Sequence, residues 1–396
     1  MRQIGVAERR ARLARRHRLA PEARADDPVQ VARSMVALHG TDPSTVYLSV
    51  WARMTAGDVA SVERALYQDR QLVRLLGMRR TVFVVPLDNA PLVQAACARD
   101  IAARERRKLV AMLTEAGVAE DSEAAEAWLR DVEATALRAL GSRGEATAAE
   151  LRTDDARLAT ELVLARGKSY EGRQSVCSRV LFLLAADGRV VRGRPLGSWT
   201  SSQFRWSPRE RWCPDGAAGW AAEDAEVELA RRWLAAFGPA TMADLRWWTG
   251  WTATQTKRAL RGVAPVEVDL DGTRGLVLAD DADPVPAVQP WVALLPALDP
   301  TPMGWTQRQW FLGEHGPQLF DQSGNVSPTV WWDGRVVGGW AQRKNGEVVY
   351  RFLEDIGADA TAAVESAAAA LGGRLGEVRL TPRTRGASAV ERELMS

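Results

Sequence analysis

The sequence predicts an α+β chain: three tandem winged-helix domains followed by a C-terminal β-barrel domain. Three observations carry this expectation. The stretch Gly144–Arg152 (GEATAAELR) recurs as Gly238–Arg246 (GPATMADLR), both reading G-x-A-T-x-A-(D/E)-L-R after a long amphipathic run. Short β-type runs are joined by tight-turn dipeptides such as Asp271-Gly272, the strongest local hairpin signal. After Asp283-Pro-Val-Pro286 the texture changes to short β-rich runs rich in tryptophan. The boundaries that follow are residues 1–88, 89–200, 201–284 and 285–396.

In the first unit, Pro28–His39, Pro43–Met54 and Gly57–Gln68 read as helices. Leu72–Leu76 and Thr81–Val85 then form a hairpin across Gly77–Arg80. In the second, a helix over residues 122–140 precedes Thr147, which caps the next helix while Glu150 bonds back to the cap. A helix over Gln174–Ala186 and a β-type run Gly188–Gly193 complete that unit. The third repeats the plan: a helix over 220–237, capping boxes at Thr241/Asp244 and Thr252/Gln255, and a hairpin of Val266–Leu270 with Gly275–Ala279. Beyond the linker, Trp291–Leu295, Thr329–Trp332, Arg335–Trp340 and Glu347–Arg351 read as strands, the last three joined by Asp333-Gly334 and Asn345-Gly346. A helix over Ala360–Leu371 and a strand Gly376–Leu380 close the expected barrel. The competing reading of the first 280 or so residues is an undifferentiated helical bundle with incidental hairpins.

Composition excludes several classes. No run approaches ~18–20 apolar residues, so a spanning helix is not expected, and the N-terminus lacks the apolar core of a signal peptide. A cytoplasmic, nucleoid-associated protein is expected. Cys97, Cys177 and Cys213 form no CxxC pair, and the histidines are only His17, His39 and His315, so neither a disulfide framework nor a metal centre is expected. No Walker motif, G-x-G-x-x-G or nucleophile elbow occurs, and no cofactor is expected. The formal charge of +2 hides an asymmetry: residues 1–198 hold 32 basic and 25 acidic side chains (+7), residues 199–396 hold 20 and 25 (−5). Residues 1–110 alone hold 20 basic and 11 acidic side chains (+9), which suits a polyanion such as DNA. Nothing demands a dimer, so a monomer is expected.

The segment Val36–Arg53 (VALHGTDPSTVYLSVWAR) is the most unusual. It reads as a helix ending at His39-Gly40, with Asp42 as N-cap and Pro43 at the first position of the next helix. His39, Thr41 and Asp42 therefore share one tight inter-helix loop. Turn chemistry alone accounts for that cluster; so does a polar site facing a substrate.

This stretch resembles the loop of the AlkZ/YcaQ family of winged-helix DNA glycosylases, which runs roughly L-Q-Φ-Q/D-x-P-x-x-x-x-Y-x-x-x-x-A-R. Met78-Arg-Arg-Thr81 with its following strand resembles the family's M-R-G-T strand. Gly238–Gly250 (GPATMADLRWWTG) resembles its third winged helix, and Leu294–Pro300 and Pro328–Gly338 resemble its C-terminal barrel. The resemblance implies excision of N-alkylated (N7/N3) purines, bulky adducts and crosslinks included, from double-stranded DNA by a monofunctional glycosylase. An N7-alkylated purine is already cationic, so its departure needs no general acid. Water placement and support of an oxocarbenium-like sugar remain.

Here His39-Gly40-Thr41 stands where the family has Q-Φ-Q or Q-Φ-D, and Asp42 falls one residue late. His39, Thr41 and Asp42 are the candidate catalytic residues. Arg53, Arg79, Arg80, Thr81, Arg189 and Arg192 are the candidate DNA contacts: the first from the A-R of the loop pattern, the rest from the hairpin turn and a wing. Trp199, Phe204, Trp206 and Trp212 interleave with Arg205, Arg209 and Arg211, either as a base-stacking surface or as packing between domains. Arg104–Lys108 reads as a solvated helix face. The altered motif keeps a second function class open, a non-catalytic winged-helix DNA-binding protein. A third is a self-resistance protein that sequesters a DNA-alkylating natural product.

Overall fold

A five-stranded antiparallel sheet organises the N-terminal half, in the order Leu38–His39, Val82–Pro86, Leu72–Leu76, Val190–Pro195, Phe204–Pro208. The structure is a computed structural model that describes residues 1–164, 167, 171–213, 219–380 and 386–396. Valine and leucine alternate through the central strands, and Val73, Val84, Val85 and Leu76 are buried where helices cover the sheet. The sheet joins strands from either side of residue 88, so the expected wing over Gly188–Gly193 is an inner strand. Its register sets Arg192 opposite Arg74 on one side and Trp206 on the other.

Outside the sheet, Arg99–Glu115, Ser122–Arg143, Ala148–Asp154 and Val176–Ala186 pack into a second core around Leu113, Leu129, Leu140, Val180 and Leu184. Capping boxes at Thr147/Glu150, Thr241/Asp244 and Thr252/Gln255 all form, each satisfying orphan N–H groups at a helix start. The helices Ala222–Phe237, Met242–Thr249 and Ala253–Val263 lead into the hairpin Val266–Leu270/Thr273–Val277. Its turn residues Asp271 and Gly272 both have positive φ, the geometry an Asp-Gly turn supplies. One pairing has no sequence signal: Arg2–Gln3 adds to this hairpin as a parallel strand on Val266–Leu270.

Among the described residues the C-terminal region forms no closed barrel. Val292–Leu295, Thr329–Trp332, Arg335–Gln342 and Val348–Phe352 form an open four-stranded sheet in chain order. The strand expected at Gly376–Leu380 does not form. The alanine-rich helix runs on through Ala358–Leu375, and the stretch beyond it meets the sheet through Gln342, whose side chain bonds to Leu380 N and Val378 O at 2.8 and 3.0 Å. That helix packs against both outer strands, Val292–Leu295 and Val348–Phe352. It covers the flank that a closing strand would have paired. Trp331 and Trp340 fill the core, donating their indole N–H to Thr329 Oγ1 and Leu295 O, each at 2.8 Å.

A buried polar network fixes the N-terminal helices to this region. Arg53 grips Asp299 with two N–H···O bonds of 2.7 and 2.8 Å, both side chains wholly buried. Ser49 Oγ and Thr301 N also donate to Asp299 at 2.7 and 2.9 Å. Arg53 further reaches Thr301 Oγ1, which bonds His17 Nδ1 at 2.8 Å. Burial, then the Arg53 charge, holds His17 well below the usual imidazole range.

Candidate functional site

The expected helix ending at His39 is shorter than its pattern suggests. It spans Pro28–Ser34, Val36 takes a positive φ of 62°, and Leu38–His39 becomes the edge strand of the sheet. A β-branched residue in that conformation shows the chain being bent by tertiary pairing, here Leu38 with Val84 and His39 with Phe83. His39 is 6% exposed and meets Phe83 edge-on at 5.5 Å between ring centres. Gly40 continues the pairing, donating to Val82 O at 2.8 Å and accepting from Arg74 Nη1 at 3.1 Å. A Cβ on Gly40 would sit 3.3 Å from the Phe83 carbonyl carbon, a tight contact that would push the strand edge back by a few tenths of an ångström.

Thr41 follows in the open, exposed to solvent. Asp42 caps the helix Pro43–Trp51, accepting from Ser44 N at 2.9 Å and Ser44 Oγ at 2.7 Å. Both bonds fall on Oδ1, so its carboxylate is oriented by the cap. The three candidates thus share a loop but differ in setting: His39 inside, Thr41 outside, Asp42 at the helix start.

The hairpin turn after Leu72–Leu76 is tight and strained. Arg79 and Arg80 have φ of 52° and 62°, conformations that non-glycine residues seldom take in succession. Gly77 donates to Thr81 O and Thr81 to Met78 O, at 2.8 and 3.0 Å, closing the turn. Thr81 is therefore a turn-closing residue, half-buried. Arg79 lies over the Trp247 ring with its guanidinium carbon 4.1 Å from the centroid, and Arg308 lies over the same ring at 4.7 Å. Burial lowers both, Arg308 to about 10 with Arg79 adding to the effect. Among the described residues neither arginine is ion-paired. Arg80 is half-exposed and bonds Glu105 at 2.9 Å.

A cleft of about 250 Å³ opens beside the turn, lined by Arg79, Arg80, Arg104, Lys108, Asp100 and Gln255. Arg104 and Lys108 are exposed, as a solvated helix face requires, and line this cleft together with Glu105, which pairs with Lys108 at 2.9 Å. Trp247 and Arg308 were missed as site residues. Trp247 gives no signal apart from its neighbour Trp248, and Arg308 lies over 200 residues from the turn it joins.

Three other candidate contacts, Arg53, Arg189 and Arg192, differ in setting. Arg53 is not available to DNA: it is 0% exposed and committed to Asp299. Its place in the A-R pattern reflects a structural tie. Arg189 is exposed, whereas Arg192 is half-buried with its guanidinium 5.6 and 5.2 Å from the Phe204 and Trp206 ring centres. Trp199, Phe204 and Trp212 are buried, which makes packing the role of most of that aromatic run.

Comparison with known proteins supplies the wider context. The model of the AlkZ-like DNA glycosylase family matches residues 32–374. An interstrand DNA cross-link repair glycosylase of Streptomyces sahachiroi is 30% identical over 127 residues, 30% of this chain and 34% of that protein. The matched stretch therefore spans about a third of that relative's length. The solved structure of Streptomyces sahachiroi DNA glycosylase AlkZ superposes with a TM-score of 0.71 at 22% identity, covering 96% of this chain and 99% of that one. At that identity the likeness is one of fold.

Proposed function

We propose, for a chain that belongs to the AlkZ-like DNA glycosylase family, that it is a monofunctional glycosylase releasing N7- or N3-alkylated purines, bulky adducts included, from duplex DNA. In this reading the three helix-and-hairpin units act as winged helices gripping the duplex. The loop 39–42 faces the damaged nucleotide, and the basic side chains of the cleft, Arg79, Arg80, Arg104 and Lys108, follow the backbone. Arg189 adds a peripheral contact.

One observation carries the catalytic part: Thr41 projects into solvent from a loop whose neighbours on both sides are held. Gly40 is bonded to Val82 and Arg74, and Asp42 to Ser44. A rigidly presented hydroxyl can hold a water at the anomeric carbon. Water adds to that carbon as the glycosidic C–N bond breaks, and the bonding pair leaves with the base. The base departs neutral because alkylation had made it cationic, and the proton lost from water passes to solvent. His39 orients the loop from within the sheet, and the Asp42 carboxylate supports the positive sugar electrostatically.

The second reading is a DNA-binding protein without catalysis. It is favoured by the burial of His39 and by the use of Asp42 as a cap, which ties up the two titratable side chains of the loop. Base release from duplexes carrying defined N7-methylguanine or bulkier N7 adducts decides between them. Abasic product from wild type, reduced 10-fold or more in Thr41→Ala, supports the glycosylase. Binding without abasic product in wild type, His39→Ala and Thr41→Ala alike supports the second reading.

A further inference from the structure

The face of the central sheet opposite His39 carries two arginines, Arg74 and Arg192, that have no counter-ion among the described residues. Side chains alternate along a strand, and the register places Arg74, Arg192 and Trp206 in one row across three strands. Arg74 is 1% exposed, and its Nε and Nη2 have no hydrogen-bond partner among the described residues. Its remaining nitrogen, Nη1, holds Gly40 O. Arg192 lies beside it, half-buried, and both guanidiniums rest against Phe204, at 4.9 and 5.6 Å from the ring centre.

No carboxylate among the described residues pairs with either cation. Glu63, at the end of the helix Val59–Glu63, is committed to Arg194 at 2.7 Å. Burial, reinforced by Arg74, lowers Arg192 to about 10. A buried cation with unused donors, set beside a half-buried like charge, costs free energy in the isolated protein. Such an arrangement gains when an anion with several acceptor oxygens meets Arg192, the more exposed member, with the Arg74 charge behind it. The bond from Arg74 to Gly40 places this seat directly beneath the loop that presents Thr41.

We propose that Arg192, backed by Arg74, seats one phosphodiester of the DNA strand carrying the damaged base, and so sets that strand's register against the loop 39–42. This rests on the reading of the chain as a DNA glycosylase, but it is tested by binding rather than by base release. The probe is a duplex with a tetrahydrofuran abasic analogue, in which phosphates flanking the analogue are replaced one at a time by neutral methylphosphonates. Wild type is expected to lose about 10-fold or more in affinity at one of these positions. Arg192→Gln loses nothing further there, and its slope of log K against log salt is shallower by about 0.9. Arg192→Lys restores the slope. Arg392→Gln, removing the same charge from an exposed position on the C-terminal helix Ala389–Met395, keeps the sensitivity to that phosphate.

The free Arg192→Gln protein should melt no lower than wild type, because one of two like charges is gone. A purely structural arginine would give the reverse, a lower melting temperature with an unchanged salt slope, and that result overturns the proposal. Equal loss at the same methylphosphonate in wild type and Arg192→Gln also overturns it, while leaving DNA binding intact. Absence of any DNA binding by wild type overturns both this seat and the reading beneath it.

Discussion

Replacing Asp299 with alanine tests the buried network most directly. Asp299 accepts two bonds from Arg53 and one each from Ser49 and Thr301, and both charged partners are 0% exposed. Its removal strands the Arg53 cation in the interior, which typically costs about 3–5 kcal/mol. Unfolding entropy of ~2.1 cal/mol/K per residue over 396 residues gives ~830 cal/mol/K. A loss of about 4 kcal/mol therefore lowers the melting temperature by about 5 °C. Removing both charges at once, in Arg53→Met with Asp299→Leu, should recover most of that loss, since an apolar pair of similar volume avoids the desolvation cost. Urea unfolding and calorimetry of the three proteins measure this. A loss below about 1 kcal/mol in Asp299→Ala would refute the argument that the ion pair is sealed from water. The double variant also tests the seclusion of Arg53 from DNA: it should bind duplex DNA with the wild-type salt slope, and a shallower slope would return Arg53 to the DNA interface.

Three more outcomes are expected. His17 is neutral in the fold because burial depresses it, whereas the unfolded chain binds a proton below about 6.5. Stability therefore falls as pH drops through that value, by at most about 1.4 kcal/mol per pH unit, and urea midpoints between pH 7 and 5 should show a shallower fall in His17→Gln. Gly40→Ala pushes a Cβ against the Phe83 backbone. It should cost about 1–3 kcal/mol in urea unfolding, and more in base release than that loss of folded protein explains, because Thr41 is displaced. Trp247→Ala removes the ring beneath Arg79 and Arg308. It should weaken DNA binding about 5- to 30-fold, on the basis of about 1–2 kcal/mol of cation–π support, as read by anisotropy at fixed salt.

Legibility in the sequence followed the range of the interaction. Helix starts at Thr147, Thr241 and Thr252, and the Asp271-Gly272 turn, were readable because each depends on residues within three or four positions. The loop's membership of a recognisable family motif was readable too. The short helix before Leu38 was not. Apolar residues at 35–38 fit a helix as well as a strand, and pairing with Val84 and Phe83, over 40 residues away, decided between them. The barrel failed for a related reason: Gly376–Leu380 has a strand's composition, yet the preceding helix had already covered both outer strands.

By itself the sequence determined the α+β class, the positions of most helices and hairpins, the polar loop at 39–42, and the basic bias of the first 110 residues. These are properties of local propensity and of summed charge. Only the tertiary structure decided which arginines are free to meet DNA. Arg53 is neutralised by Asp299 from 246 residues away, Arg80 is partly screened by Glu105, and Arg74 and Arg192 sit side by side with no ion-pair partner among the described residues. A charge acts on its surroundings through distance and burial, and a linear sequence records neither.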